Sequence, residues 1–309
     1  MAPGYLSVMN HPYHQHPKPD YNRAFAAGVA LNLIFITVEA VYGVLASSLA
    51  LITDAGHNLG DVMGLLLAWG ATYLATKRPT LRRTYGYSRL TILASVTSGL
   101  LLLLAVTIIA WEAVNRFLEP VTPAGHTIMV VAGIGVIINA FTAWFFVSGK
   151  DHDLNIRGAY LHMTADAAVS LGVVISGLMI WQFGLNWLDP LSSLLIAAVI
   201  FWSTWGLLRD SLNLAIDGVP RDLDPTLVRE WLAQQPGVED LHDLHIWPMS
   251  TTKTALTVHL LMPVPPVDDE FLHKLTQQLH EQFGISHATI QLERGQVDRV
   301  CTQSKNCAD

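Results

Sequence analysis

Charge is what this sequence is shortest of. Only 14% of its 309 residues are Asp, Glu, Lys or Arg, whereas soluble domains carry about 25%. The shortage is uneven. Between Phe25 and Leu208 the charged residues are few and gather at short breaks, while after Arg209 the composition is that of an ordinary soluble domain. A chain so poor in charge and 51% hydrophobic belongs in a membrane. Cysteine is scarcer still: Cys301 and Cys307 both lie in the last nine residues, which excludes a disulfide framework for the fold. No basic stripe or nucleic-acid motif accompanies the net charge of −7, so nucleic acid is excluded as a partner. The first twenty residues are polar and rich in His and Pro, without an apolar h-region, so no signal peptide is expected.

What is present is a set of long apolar runs. A membrane helix needs about 20 predominantly apolar residues, and six stretches qualify: Phe25–Leu45, Leu49–Thr76, Leu90–Val114, Ile128–Ser148, Ala159–Phe183 and Leu188–Leu208. Basic residues in short links set the orientation. Lys77, Arg78, Arg82, Arg83 and Arg89 fall between spans two and three, Lys150 and Arg157 between four and five, and Lys18 and Arg23 before span one. The other three links hold only Arg116. Both termini and the two basic links are therefore expected in the cytoplasm, giving a multi-pass protein of the cell inner (plasma) membrane. The expected division is an N-terminal tail over 1–21, a six-span domain over 22–209, an α+β domain over 210–294 and a C-terminal tail with two Cys over 295–309.

Two spans carry ionisable residues where apolar ones belong. Span two contains Asp54-Ala-Gly-His57-Asn-Leu-Gly-Asp61 and span five contains His162-Met-Thr-Ala-Asp166. Each holds a His-x-x-x-Asp pair, and a spacing of four puts both side chains on one helix face. Groups of this kind at membrane depth are costly and mark ion or proton paths. His57 lies about 12 Å from the outer end of span two and Asp166 about 10 Å past the cytoplasmic start of span five, at roughly 1.5 Å per residue. Both pairs thus reach the middle of an apolar core roughly 30 Å thick. Because the helices run in opposite directions, the pairs can face each other. Two imidazoles and two carboxylates suit tetrahedral Zn²⁺, and the lack of thiolates argues against Cu(I). Hydrogen-bonded core residues are the bland alternative, but two carboxylates sharing a dry core without a cation are strongly disfavoured. A membrane metallohydrolase would need an open metal position and a general base, and no His-Glu-x-x-His is present. Glu39 and Asn139 either line a path or hydrogen-bond between helices, and Asp54, one turn from His57, is a candidate relay or exit ligand. Gly43, Gly56, Gly60 and Gly64 are expected to permit close helix packing.

The chain resembles the cation diffusion facilitator family, close to its bacterial zinc exporters. The resemblance rests on Ser48-Leu-Ala-Leu-Ile-Thr-Asp54-Ala-Gly-His57-Asn-Leu-Gly-Asp61, Tyr85-Gly-Tyr-Ser-Arg89, Gly158-Ala-Tyr-Leu-His162 through Asp166, His242-Asp-Leu-His-Ile-Trp247 and His287-Ala-Thr-Ile-Gln-Leu-Glu293. It implies a homodimer that exports Zn²⁺ in exchange for protons, with His57, Asp61, His162 and Asp166 as the transport site and Cd²⁺ or Co²⁺ as further cargo. A passive divalent-metal channel without obligatory proton exchange is the alternative. Two departures stand out. The family's Ala-Glu after the Tyr-Gly-Tyr-x-Arg motif is Leu90-Thr91 here, and of the His-rich link between spans four and five only His152 remains.

Past Gly218-Val219-Pro220 the pattern reads helix (Pro225–Gln234), strand (Val238–Trp247), strand (Thr254–Met262), helix (Asp268–Phe283), strand (Ala288–Leu292), separated by the turn signals Pro236-Gly237 and Pro263–Pro266. This resembles the family's metallochaperone-like (ferredoxin-like) cytoplasmic domain. Its small size fits a unit that pairs with a twin. The resemblance also implies regulatory zinc at His242, His259 and Glu293. Cys301 and Cys307 either add thiolates to such a site or belong to a reduced, flexible tail. His11, His14 and His16 either collect metal or belong to a disordered polar tail.

Overall fold

The computed structural model describes residues 21–147, 154–266 and 269–295. Its first part is six long helices: α1 (Tyr21–Leu45), α2 (Leu49–Ala75), α3 (Leu90–Leu118), α4 (Gly125–Phe146), α5 (Leu154–Phe183) and α6 (Leu188–Ala215). They are 22 to 30 residues long, or roughly 33 to 45 Å, enough to cross the apolar core of a bilayer. Among the described residues, α3, α4, α6 and the Tyr160–Phe183 stretch of α5 are apolar enough on their own. α2 is long enough, but Asp54, His57, Asn58 and Asp61 interrupt its apolar run. Leu100, Leu101, Leu104, Ile108 and Trp111 of α3 are exposed, an apolar face that suits lipid rather than water.

The helices end where their hydrogen bonds end, not where apolarity does. α3 continues past the expected Val114 to Leu118, and α6 past the expected Leu208 to Ala215. Arg116, Asp210 and Asn213 are compatible with helix outside a hydrocarbon layer, so a hydropathy boundary falls short of the real one. The link from α1 to α2 is tight: Ser47 takes φ 52°, and Ser48 caps α2 by accepting from the Leu51 N–H at 3.3 Å.

α2 packs against α1, α3 and α6; α4 lies along α5 and α3 along α6. Small residues permit the close approaches. A Cβ on Gly125 would come 2.5 Å from the Trp181 nitrogen and one on Gly177 2.7 Å from the Met129 nitrogen, so α4 and α5 touch backbone to backbone. Gly43, Gly60 and Gly64 are similarly confined, by Ile52, Leu102 and Ser98. Gly56 is not: a Cβ there would meet only Ile109, at an ordinary 3.8 Å.

The second part is α7 (Pro225–Ala233), β1 (Asp240–Pro248), β2 (Thr254–Leu261), α8 (Glu270–Phe283) and β3 (Ile285–Glu293), the α+β order expected. Asp224 caps α7, accepting from the Thr226 N–H at 2.8 Å, with Pro225 in the first turn. β2 is central, antiparallel to β1 and parallel to β3. Leu256, Val258 and Leu260 of β2 join Val228, Leu232, Leu275 and Leu279 of the two helices in one core. β3 starts three residues earlier than expected. Gly284, at φ 68°, closes α8, and Ile285 at once pairs with Thr254.

The basic link docks the two parts together. Arg89 forms an ion pair with Asp217, the Thr251 N–H donates to Thr91 Oγ1 at 3.1 Å, and the rings of Tyr85 and His287 meet edge to face at 5.9 Å. Thr91, where the family pattern departs, thus serves as a contact to the second part.

Candidate metal site

α2 and α5 bring His57, Asp61, His162 and Asp166 to one place. His57 Nε2 is 3.6 Å from Asp61 Oδ2 and 3.8 Å from Asp166 Oδ1. His162 Nε2 is 3.2 Å from Asp61 Oδ2 and 3.6 Å from Asp166 Oδ2. Four bonds of about 2.0–2.1 Å to a tetrahedral ion would set its ligands roughly 3.3 Å apart, so these separations suit the edges of such a tetrahedron. The two rings stand edge-on, with centroids 6.3 Å apart. His57 Nδ1, Asp61 Oδ2 and Asp166 Oδ2 are buried without a hydrogen-bond partner, which is what a purely structural network would avoid.

Exposure falls steadily along the pair of helices. The side chains of His162 and Asp61 are 44% and 29% exposed, those of His57 and Asp166 17% and 4%. One turn further toward the N-terminus of α2, Asp54 is fully buried, as are Ser170 of α5 and Glu39 of α1. Ser170 Oγ donates to Asp54 Oδ2 at 2.9 Å, and Glu39 stands beside Asp54 and Asn58. Asn139 is buried in α4, its Nδ2 without a partner.

The second cluster sits on the sheet of the α+β part. His242 and His259 are directly opposite across β1 and β2, and Glu293, paired with Leu261, is diagonal to His259. Glu293 lies 3.0 Å from His259 Nδ1 and 3.4 Å from His242 Nε2. One ligand atom from each of the three lies within 4.8 Å of the others. Asp243 joins them, 3.5 Å from His259 Nε2 and 3.1 Å from His245 Nε2. It sits at φ 56°, in the bulge where the β1 register shifts between His242 and His245. The sequence signal for it was slight: one acid between two histidines, with no hint of the bulge that aims it. Cys301, Cys307, His152 and the N-terminal His11, His14 and His16 lie outside the described residues.

Asp189, the acid of the α6 first turn, is a residue that motif reading missed. It is 1% exposed and accepts from Ser48 Oγ at 2.6 Å, the Leu49 N–H at 2.7 Å and the Ala50 N–H at 3.3 Å. Arg116 Nη1 lies 3.4 Å from it and donates to the Ser47 carbonyl at 2.6 Å. An acid at the edge of an apolar run, directly before Pro190, was the available signal.

Residues 25–214 match the cation efflux transmembrane domain and residues 220–295 the cytoplasmic domain of cation efflux proteins. The chain is 38% identical over 283 residues to the metal cation efflux system protein CzcD of Cupriavidus metallidurans, covering 91% of this chain and 89% of that one. It is 36% identical over 282 residues to the zinc transporter ZitB of Escherichia coli K12, with 89% of each covered. It is 34% identical over 290 residues to the cadmium, cobalt and zinc/H(+)-K(+) antiporter of Bacillus subtilis 168, with 91% of each covered. With six long helices followed by an α+β part, and with matches of this extent, this multi-pass membrane protein belongs to the cation diffusion facilitator family and is a divalent-metal efflux transporter, not an enzyme.

Proposed function

We propose that the chain exports zinc from the cytoplasm across the inner membrane in exchange for protons, through His57, Asp61, His162 and Asp166. The observation that carries this reading is the near-tetrahedral set of two imidazoles and two carboxylates, with separations of 3.2 to 3.8 Å, held between two membrane helices. The basic links support a cytoplasmic position for both termini. His162 and Asp61 are then the cytoplasmic members of their pairs, and their greater exposure supports ion entry from that side. Cd²⁺ and Co²⁺, named for the Bacillus relative, are further cargo of the same charge. The α+β part pairs with its twin in a homodimer, and the His242–His259–Glu293 cluster holds a regulatory zinc.

Proton exchange follows from charge. With Zn²⁺ bound and both imidazoles neutral, Asp61 and Asp166 balance the ion and the site has no net charge. Without the ion, the same groups would leave two negative charges in a low-dielectric region, which is expensive, so protons replace the metal. The histidines are suited to carry them, since a free imidazole titrates near about pH 6.5, and only the neutral ring can ligate. Protons entering from outside and leaving inside then drive zinc outward. The Bacillus relative is an antiporter by name, which supports this over a passive channel.

The test is zinc uptake into inside-out vesicles with and without a pH gradient. Uptake is expected to require a gradient acid inside, and zinc affinity of the purified protein to fall as pH drops, since protons compete with the metal for the imidazoles. His57→Asn with His162→Asn is expected to flatten that dependence. Flux indifferent to the gradient would favour the channel, and an equally steep pH dependence in the double variant would remove the histidines as proton carriers. Changes in the cytoplasmic cluster should act differently. His242→Ala, His259→Ala or Glu293→Ala is expected to shift the zinc concentration at which transport responds, with most of the maximal flux retained. A variant of this cluster as inactive as one lacking Asp61 would overturn the regulatory role.

A further inference from the structure

The link between α2 and α3 carries charge of one sign only. Between Asp61 and Glu112 the sequence holds Lys77, Arg78, Arg82, Arg83 and Arg89 and no acid. Arg89 is engaged with Asp217 of the α+β part. The other four are exposed, and among the described residues none of them forms an ion pair. Two are held by aromatic rings instead. Lys77 Nζ stands 4.6 Å over the Tyr73 ring and donates to Tyr73 Oη at 3.2 Å. Arg83 lies 4.8 Å over the Tyr87 ring and donates to Tyr87 Oη at 2.9 Å. Tyr73 stacks in turn on Trp69, and both are exposed.

The tip of this basic link is apolar. Thr80 and Arg83 close a tight turn through two backbone hydrogen bonds of 3.0 Å each, which leaves Leu81 and Arg82 at its centre. Turns that face water favour Gly, Asn, Asp, Ser and Pro, yet Leu81 stands there fully exposed. A leucine gains nothing from water at that position, but it does gain from the edge of a bilayer. The link joins the ends of two membrane helices, so it lies at that edge. Trp and Tyr gather at the same depth, as Trp69 and Tyr73 do on the last two turns of α2. An apolar tip framed by cations fits the layer where lipid phosphates meet acyl chains.

We infer that segment 77–83 binds anionic phospholipid headgroups, with Leu81 inserted toward the acyl chains and Lys77, Arg78, Arg82 and Arg83 around the phosphates. An acidic protein surface is the rival occupant. It would satisfy the cations but would leave the Trp69–Tyr73 pair and the apolar tip without a purpose, whereas a lipid surface uses all three. The anionic leaflet is the cytoplasmic one, and placing the link there rests on the orientation proposed above; recognition of an anionic headgroup does not. The link also carries Tyr85 and Arg89, which meet His287 and Asp217. A lipid held here therefore bears on where the α+β part stands against the membrane surface.

The first probe is phosphatidylglycerol against phosphatidylcholine of equal chain length, offered to the full chain in detergent and counted by native mass spectrometry. The parent is expected to retain phosphatidylglycerol preferentially. Arg78→Gln with Arg82→Gln should cut that preference on the order of tenfold, at about fivefold per cation near a headgroup. Equal retention of both lipids by the parent, or an unchanged preference in the double variant, would overturn the inference. The second probe is a spin label on Leu81→Cys, in a full chain carrying Cys301→Ser and Cys307→Ser, reconstituted in bilayers with and without phosphatidylglycerol. With phosphatidylglycerol the label should collide with oxygen and be shielded from a neutral nickel chelate, and without it the chelate should gain access. A label open to the chelate in both bilayers would overturn the inserted tip. One shielded from both reagents would place a protein surface there and overturn the lipid as occupant. Failure of the orientation would show separately, as labelling of Leu81→Cys by an impermeant maleimide from outside intact cells, and would remove the cytoplasmic leaflet from the inference.

Discussion

Asp61→Ala and Asp166→Ala are each expected to stop zinc efflux and to weaken zinc binding at the membrane site by more than a hundredfold. Losing even a group that only orients a metal ligand costs about 10–100-fold in affinity, and here a charged ligand itself is lost. The charge matters more than the missing bond. With one carboxylate gone, bound Zn²⁺ leaves a net positive charge between α2 and α5, where Asp166 is nearly sealed from solvent. A lone charge there has little to stabilise it. Asp61→Asn and Asp166→Asn, which keep the shape and lose the charge, should therefore fail almost as completely as the alanine forms. The measurement is zinc flux into proteoliposomes alongside zinc binding in detergent. A variant of either aspartate that retains half of the parent flux would remove it from the transport site.

The transmembrane architecture was legible because hydrocarbon imposes long runs of apolar residues, and such runs are hard to miss. The helix ends were less so. Arg116 and the segment from Asp210 to Ala215 continue α3 and α6 because helix formation needs hydrogen bonds and not apolarity, and composition reports only the second. In the α+β part the turn signals separated the elements, while the early start of β3 depended on Gly284 turning the chain straight into pairing with Thr254.

Candidate site residues were legible where spacing carried the information. The His-x-x-x-Asp pairs were visible because four residues make one helical turn, and the structure brings the four side chains together at 3.2 to 3.8 Å. Residues that act across distant parts of the chain were not visible in this way. Glu39 and Asp54 are fifteen positions apart on different helices, and only the fold shows that they share one buried chamber. Asp243 needed a β-bulge to reach His259. Asp189 lies 139 to 141 positions from the residues it holds, and no local pattern encodes such a contact.

That contact leads to the second large effect. Asp189→Ala is expected to lower the stability of the membrane part by about 3–5 kcal/mol, the usual cost of breaking a buried charged pair by removing one partner. The side chain lost is 1% exposed. Its removal deprives the Ser48 hydroxyl, the Leu49 and Ala50 N–H groups and the Arg116 guanidinium of their shared acceptor. Those N–H groups open α2, where the helix dipole also favours a negative charge. Asp189→Asn should cost less, because one oxygen remains to accept from Ser48 and Ala50 while the amide nitrogen faces Leu49 and Arg116 without accepting. In detergent the alanine form should melt on the order of ten degrees lower by the usual scaling of stability with melting temperature, and the asparagine form in between. A functional effect should accompany this. Leu49 and His57 sit on one rigid helix about 12 Å apart, so releasing the N-terminus of α2 frees His57 and Asp61 to shift against α5. Zinc affinity should then fall in Asp189→Ala, although Asp189 touches no part of the proposed metal site. Unchanged melting in Asp189→Ala would show that the four contacts hold nothing in place. Lowered melting with full zinc affinity would separate the stability of α2 from the position of its ligands.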